Sequence, residues 1–297
     1  MCQIPDNFLT ADLVRHPRCN KPKFDLSTVH TVSKIWTHSR FMFIFERGDL
    51  NLAAHYLAER MHEPFQPFPF ASVAVHNSVK DDFIERLRSR FHQVKPHVAL
   101  HPNFERSLNE LKLGGVKYVV ADEENAPPFA SPILVTDNVT HLFFSSSPSG
   151  VVTLKGFNTI REAQGIFGAE TPPFSAVHIF DESITSVYAL AAIVNCVQFY
   201  VNCFDVCTMP ILPYYGMRQS RALLHDGYHM ETLEIGGVWK IIAFPYTTTL
   251  VRQCDCVKGE CTCSSKDKSC DVSLKKQTQI LNILQIDEDE ESQEKLN

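Results

Sequence analysis

The chain has 297 residues, 44% of them hydrophobic, which is ample for a buried core in one large domain or two small ones. Its formal net charge of −6, from 28 Lys and Arg against 34 Asp and Glu, argues against a broad nucleic-acid or acidic-membrane surface, which needs clustered basic residues. Met1 to Thr10 carries no signal-peptide pattern, and the most apolar stretch, Tyr188 to Val201, is broken by Asn195 and Gln198 and falls short of the roughly 18–20 residues of a membrane span. A cytoplasmic location is therefore expected, with the ten cysteines held as thiols or metal ligands rather than disulfides.

Residues 1–30 are polar and aperiodic and read as a loose leader. Phe41 to Phe45 is an apolar, aromatic run suited to a buried strand. Asp49 is placed to cap a helix in which Leu50, Ala53, Ala54, Leu57 and Met61 recur at helical spacing. Ser72 to Val75 is strand-like, and Ser78 with Asp81 resembles a capping box opening a helix to about Gln93. Phe104 to Leu113 reads as a third helix stopped by Gly114-Gly115. Strands follow at Lys117 to Ala121, Pro132 to Thr136 and Gly150 to Leu154. A helix from Thr159 to about Phe167, a strand at Ser175 to Phe180, a helix from about Glu182 to Asn195 and a strand at Val197 to Val201 complete the set. Strands apolar on both faces, alternating with helices, predict an α/β domain with a mostly parallel sheet flanked by helices. Val238 to Phe244 reads as a late strand beyond this core, and residues 250–297, Cys-rich and then acidic from Asp287 to Glu291, read as a disordered tail. The expected organisation is leader 1–30, domain 31–249 and tail 250–297.

Several segments, taken in order, resemble the catalytic half of aldehyde dehydrogenases. Asp49-Leu50-Asn51-Leu52-Ala53-Ala54 is similar to that family's Asp-Leu-x-x-Ala-Ala turn, and Pro132-Ile133-Leu134-Val135-Thr136-Asp137 to its Pro-Thr-x-x-Thr-Asp strand. Thr171-Pro172-Pro173-Phe174-Ser175 resembles its Thr-Pro-Tyr-Gly-Leu turn, with Phe180 ending the following strand. Val197 to Asn202 resembles the strand ending in Val-Asn, and Pro213-Tyr214-Tyr215-Gly216-Met217-Arg218-Gln219-Ser220 the Pro-Phe-Gly-Gly-x-Lys-x-Ser segment. The pieces span roughly residues 35 to 245, and their order is more specific than any one of them. In length and departures the chain also resembles a short family of that superfamily known only as a domain of unknown function.

The resemblance implies where chemistry would sit. Oxidation of an aldehyde requires a thiolate nucleophile, a base and a nicotinamide cofactor. The nucleophile position falls on Phe68, and no cysteine lies between Cys19 and Cys196 to replace it. The base position falls on Ile35, with Thr37 and His38 where the family has glycines. The ribose-binding carboxylate position falls on Ser146. The family's nucleotide-binding half would precede Ile35, where only 34 residues stand, so NAD binding is not expected. Matched framework positions (Asp49, Pro132, Thr136, Asn202, Pro213 and Gly216) are turn, cap and packing residues.

These losses point to a noncatalytic protein acting through binding or oligomerisation, as a homodimer or paired with a related protein. The alternative is an enzyme using a remodelled cleft near Phe68 and Asn202. Cys254, Cys256, Cys261 and Cys263 form two Cys-x-Cys pairs suited to zinc or copper(I); a Cys-rich tail of reduced thiols is the other reading. His225 and His229, four apart, would share a helix face, with a polar helical or loop surface as the plainer reading. Cys196, Cys203 and Cys207 read as buried, inert thiols.

Overall fold

In a computed structural model, which describes residues 38–144 and 148–245, ten strands hydrogen-bond into one sheet. In chain order the strands and helices are β1 (Ser39–Ile44), α1 (Leu50–His62), β2 (Phe70–His76), α2 (Lys80–Arg88), α3 (Pro96–Ala99), α4 (Pro102–Gly114), β3 (Tyr118–Val119), β4 (Leu134–Val135), β5 (Val152–Phe157), α5 (Ile160–Ala169), β6 (Phe174–Phe180), α6 (Ile184–Ile193), β7 (Gln198–Val201), α7 (Leu212–Gly216), β8 (Arg221–His225), β9 (Tyr228–Ile235) and β10 (Val238–Pro245). The strand order is β3-β4-β5-β2-β1-β6-β7-β10-β9-β8. Every pair from β4 to β10 is parallel, and β3, β9 and β8 join antiparallel. The α/β class with a mostly parallel sheet flanked by helices is thus the observed one.

The centre of the sheet is buried on both faces, which is why its strands carry unbroken apolar runs. Along β1, Met42 and Ile44 pack with Ala53, Ala54, Leu57 and Met61 of α1 and with Phe83 and Leu87 of α2. Phe41 and Phe43 face the other way, toward Ala163 of α5 and Val187, Leu190 and Ala191 of α6. Full burial of each of these aromatic side chains contributes about 1.5–3 kcal/mol. The expected cap of α1 forms: the Asp49 carboxylate accepts from Asn51 N and Leu52 N, both at 3.0 Å. The turn before it needs Gly48, because a Cβ there would lie 2.4 Å from Phe180 O. Gly115, at φ 61°, ends α4 in the left-handed conformation that glycine adopts without penalty.

Four expectations are corrected. The Ser78/Asp81 capping box does not form; β2 runs straight into a 3-10 turn whose Ser78 N–H is accepted by the His76 imidazole at 3.3 Å. The following helix stops at Arg88, short of Gln93. His225 and His229 lie on strands of a hairpin, not on a helix or loop, with Asp226 (φ 49°) and Gly227 (φ 82°) forming its two-residue turn. Val238 to Phe244 is not beyond the core: β10 pairs with β7 and is the seventh parallel strand.

Candidate functional site

The face of the sheet beneath α1 carries a buried polar layer near Phe68. Arg40, at the start of β1, is 3% exposed, yet its side chain carries a full charge. Its guanidinium donates to the Tyr56 hydroxyl at 2.6 Å and approaches Asp205 Oδ1 at 3.9 Å. Arg60, one helical turn after Tyr56 on α1, pairs with the other Asp205 oxygen. The Tyr56 hydroxyl also donates to Asp205 Oδ1, at 3.4 Å. Two guanidinium groups thus converge on one carboxylate, which offsets the desolvation of the deeper arginine.

Aromatic rings enclose this charge. The Arg40 guanidinium carbon lies 5.5 Å from the Phe68 ring centroid and 6.0 Å from that of Tyr200. Tyr56 stacks on Phe204 at 4.3 Å, and His178 stacks on Tyr200 at 5.0 Å. Phe70 meets both the Tyr56 and His178 rings. Gln198 donates to the Tyr200 hydroxyl and, at 3.2 Å, to Thr208 Oγ1. Asn202 braces the adjoining turn: its Nδ2 donates to Asp181 O at 2.5 Å and its Oδ1 accepts from Asp181 N at 3.0 Å. The segment turns sharply here, with Asn202 at φ 50° and Asp205 at φ 53°.

Phe68 itself is buried and holds a φ of 66°. A bulky residue in that region costs about 1–3 kcal/mol and persists only where its surroundings impose it. Pro67 and Pro69 fix the chain on either side, and the Pro69 carbonyl accepts from Arg40 N at 2.8 Å. The ring then rests 5.5 Å from both the Arg40 guanidinium and the His38 ring. Burial holds the His38 imidazole below its ordinary value. The adjacent thiol, Cys203, donates to Ala243 O at 3.5 Å, and burial pushes it well above the usual thiol range.

A second buried network lies on the opposite face of the sheet. Glu170, at the end of α5, has a fully buried side chain that pairs with Lys155 Nζ at 3.2 Å. Its other oxygen accepts from the His141 backbone N–H at 2.8 Å. Ser72 and Thr153, on paired positions of β2 and β5, hydrogen-bond at 2.7 Å. Both hydroxyls lie 3.5 Å from His141 Nδ1, and Glu170 Oε2 lies 3.9 Å from the same nitrogen. Serine, imidazole and carboxylate are therefore all present, but serine and carboxylate meet one ring nitrogen. A relay needs them on opposite nitrogens. The other nitrogen, Nε2, lies 3.3 Å from Val151 O. Burial pushes the His141 imidazole down to about 4, so near pH 7 it is neutral. This network braces β2 against β5 and α5.

Of the other residues singled out by sequence, Cys196 and Cys203 are buried, and Cys207 is partly exposed. Burial raises the Cys196 thiol to about 11, which suppresses its reactivity. Beside it Lys240, 2% exposed, donates to Val194 O at 2.8 Å and Cys196 O at 3.2 Å, closing the end of α6. Ile35, Ser146, Cys254, Cys256, Cys261, Cys263 and the acidic run lie outside the described residues. Among the described residues no group of three His, Cys, Asp or Glu is placed to hold a metal ion, and no helix is long and apolar enough to cross a membrane. Sequence reasoning missed Arg40, Tyr56, Arg60 and Asp205 altogether.

The chain is similar in structure to a putative aldehyde dehydrogenase from Burkholderia cenocepacia, at 18% identity and a TM-score of 0.45, covering 56% of this chain and 39% of that one. It is similar to betaine aldehyde dehydrogenase from Staphylococcus aureus, at 19% identity and a TM-score of 0.45, over 57% and 38% of the two chains. It is also similar to lactaldehyde dehydrogenase from Escherichia coli, at 13% identity and a TM-score of 0.46, over 58% and 40%. The similarity thus spans about two fifths of the length of these structures. No curated protein matches the chain. Residues 35–250 match the family described as "Protein of unknown function (DUF1487)", and the chain belongs to that family.

Proposed function

We propose that this protein is a noncatalytic relative of the aldehyde dehydrogenases, located in the cytoplasm, which acts by binding or oligomerisation rather than by turning over a substrate. One observation carries this reading. Phe68 stands where the sequence resemblance puts the nucleophilic thiol, and its ring is packed against the Arg40 guanidinium and the His38 ring. A phenyl ring offers no electron pair for attack on a carbonyl. By the resemblance, the Phe68 ring would take up space before β2 that a substrate needs. A nicotinamide cofactor has no place in this reading, because isoleucine and serine, at Ile35 and Ser146, stand where the resemblance calls for carboxylates. The partner is a second copy or a related chain.

Incubating the purified full chain with short aliphatic and aromatic aldehydes, with NAD or NADP, and separately with an activated ester tests this reading. No product above the protein-free control is expected. Product formation that follows the protein through every purification step would overturn it. The tail thiols Cys254, Cys256, Cys261 and Cys263 are proposed as a zinc or copper(I) site. Metal analysis of the full chain beside one ending at Thr249 tests that assignment, and equal metal content in the two would exclude it.

A further inference from the structure

The two ends of the sheet differ. At one end β3 is two residues long, too short to template a further strand. At the other, β8 (Arg221–His225) pairs with β9 over five residues without a register shift, and among the described residues β9 is its only neighbour in the sheet. Proteins usually blunt such an edge with proline, inward-pointing lysine, a bulge or a covering loop. β8 has no proline, no lysine and no bulge. Its one permanent charge does not guard the edge, because the Arg221 guanidinium lies over the Tyr214 ring at 5.5 Å. Leu224 is 55% exposed on the far face, although it sits within a strand.

We infer that the β8 edge is the interface for a second copy of this chain, pairing antiparallel with its own β8 about a two-fold axis at Leu223. The residue pattern itself argues for a second copy. Antiparallel pairing about a perpendicular two-fold requires side chains directly opposite one another to share a face, so the axis must pass beside a residue position. With the turn at Asp226 and Gly227 ending the strand, the position that pairs all five residues is Leu223. Leu223 then meets Leu223 of the second copy, extending the apolar cluster of Met209, Tyr214, Tyr215 and Tyr228 that it already touches. On the other face Leu224 meets Ala222 of the second copy, twice, which covers both exposed leucines. Arg221 comes opposite His225 of the second copy and beside its Asp226, so each end of the interface brings a guanidinium near a carboxylate. The new main-chain hydrogen bonds satisfy the edge groups of both copies at once. The inference does not depend on the noncatalytic reading; an active enzyme would dimerise by the same edge.

Sedimentation of the full chain at tens of micromolar tests this directly. A species of twice the chain mass is expected, and a monomer throughout would overturn the proposal. Register is tested by oxidation of single-cysteine additions beside the unaltered chain, which sets the background from its ten native cysteines. Directly opposite Cα atoms in an antiparallel pair lie about 4.5–5.5 Å apart, within disulfide reach, so Leu223→Cys crosslinks into a dimer. Leu224→Cys does not, because its symmetry mate is a diagonal neighbour about 7–8 Å away. Leu224→Lys, at an exposed position that leaves the fold intact by circular dichroism, weakens the dimer at least roughly tenfold. A dimer that ignores Leu224→Lys, or in which Leu223→Cys crosslinks no better than Leu224→Cys, would place the interface elsewhere and overturn the assignment. None of these readouts involves turnover, so their failure leaves the aldehyde assay to judge the noncatalytic reading separately.

Discussion

The Phe68 ring and the Arg40 guanidinium lie 5.5 Å apart, joining a residue held at a left-handed φ just before β2 to a charge buried at the start of β1. Each accounts for the other. The ring gives the guanidinium a π face in a place with little water, a contact worth about 0.5–2 kcal/mol. The guanidinium gives the ring a reason to stay buried despite its backbone strain. Pro69 O accepts the Arg40 N–H at 2.8 Å, so the two chains are tied at the backbone as well.

A sign reversal at Phe68 follows from that strain. Phe68→Ala removes a buried ring and lowers stability by about 3–5 kcal/mol. Glycine is ordinarily the worse replacement, but at φ 66° it carries no steric penalty. Phe68→Gly is therefore expected to equal or exceed Phe68→Ala by about 1 kcal/mol in stability. Urea unfolding of the two variants checks this, and a glycine variant clearly weaker than the alanine one would show that the backbone is not strained.

Arg40 and Tyr56 act as a unit. Arg40→Met removes the donor to the Tyr56 hydroxyl and leaves Asp205 held by Arg60 and Tyr56 alone, costing about 1.5–3 kcal/mol. Tyr56→Phe removes the charge-assisted hydrogen bond from Arg40, of 2.6 Å, and the longer one to Asp205, and costs about 1.5–3 kcal/mol. The double variant is expected to fall short of the sum by about 0.5–3 kcal/mol in a denaturation cycle. Simple additivity would mean that the contact contributes nothing to folding.

His141 makes stability depend on pH. Burial lowers its imidazole to about 4, against 6.5 in the unfolded chain, with Glu170 opposing the shift and Lys155 adding to it. The unfolded state then takes up the proton first. Stability is complete above pH 6.5 and is lost as pH falls toward 4, by about 3 kcal/mol in all. His141→Gln is expected to flatten that slope in denaturant titrations at successive pH values. An unchanged slope would assign the acid sensitivity to other groups.

The buried thiols should resist modification. Burial raises Cys196 to about 11 and Cys203 further still, so neither is a thiolate near neutral pH. Brief alkylation followed by peptide mass spectrometry is expected to leave both unlabelled in the native protein and labelled in denaturant. Native labelling of Cys203 at the rate of an exposed thiol would contradict its burial.

The sequence announced some of these features and hid others for physical reasons. The Asp49 cap, the apolar β1 run and the Gly115 stop were legible because each is a local signal. The hairpins had an equally local signal in Asp226-Gly227 and Gly236-Gly237, both pairs at positive φ, and it was masked by the helical spacing of His225 and His229. Ser78 failed as a cap because β2 passes directly into a tight turn, where His76 takes the role. At the site, Phe68 came from the order of matched segments. Tyr56 and Asp205, 149 positions apart, are brought together only by packing α1 against the turn after β7, which leaves no trace in local spacing. Glu170 likewise carries no local signal, and the end of α5 places it beside Lys155.

The most direct test of the account is steady-state formation of NADH by the purified full chain, supplied with aldehyde and NAD, with Phe68→Cys assayed beside it. The account predicts no rate above the protein-free control for either protein, because a restored thiol would still lack a base at Ile35. A rate proportional to unaltered protein, present in every purified fraction and abolished by heat denaturation, would contradict it.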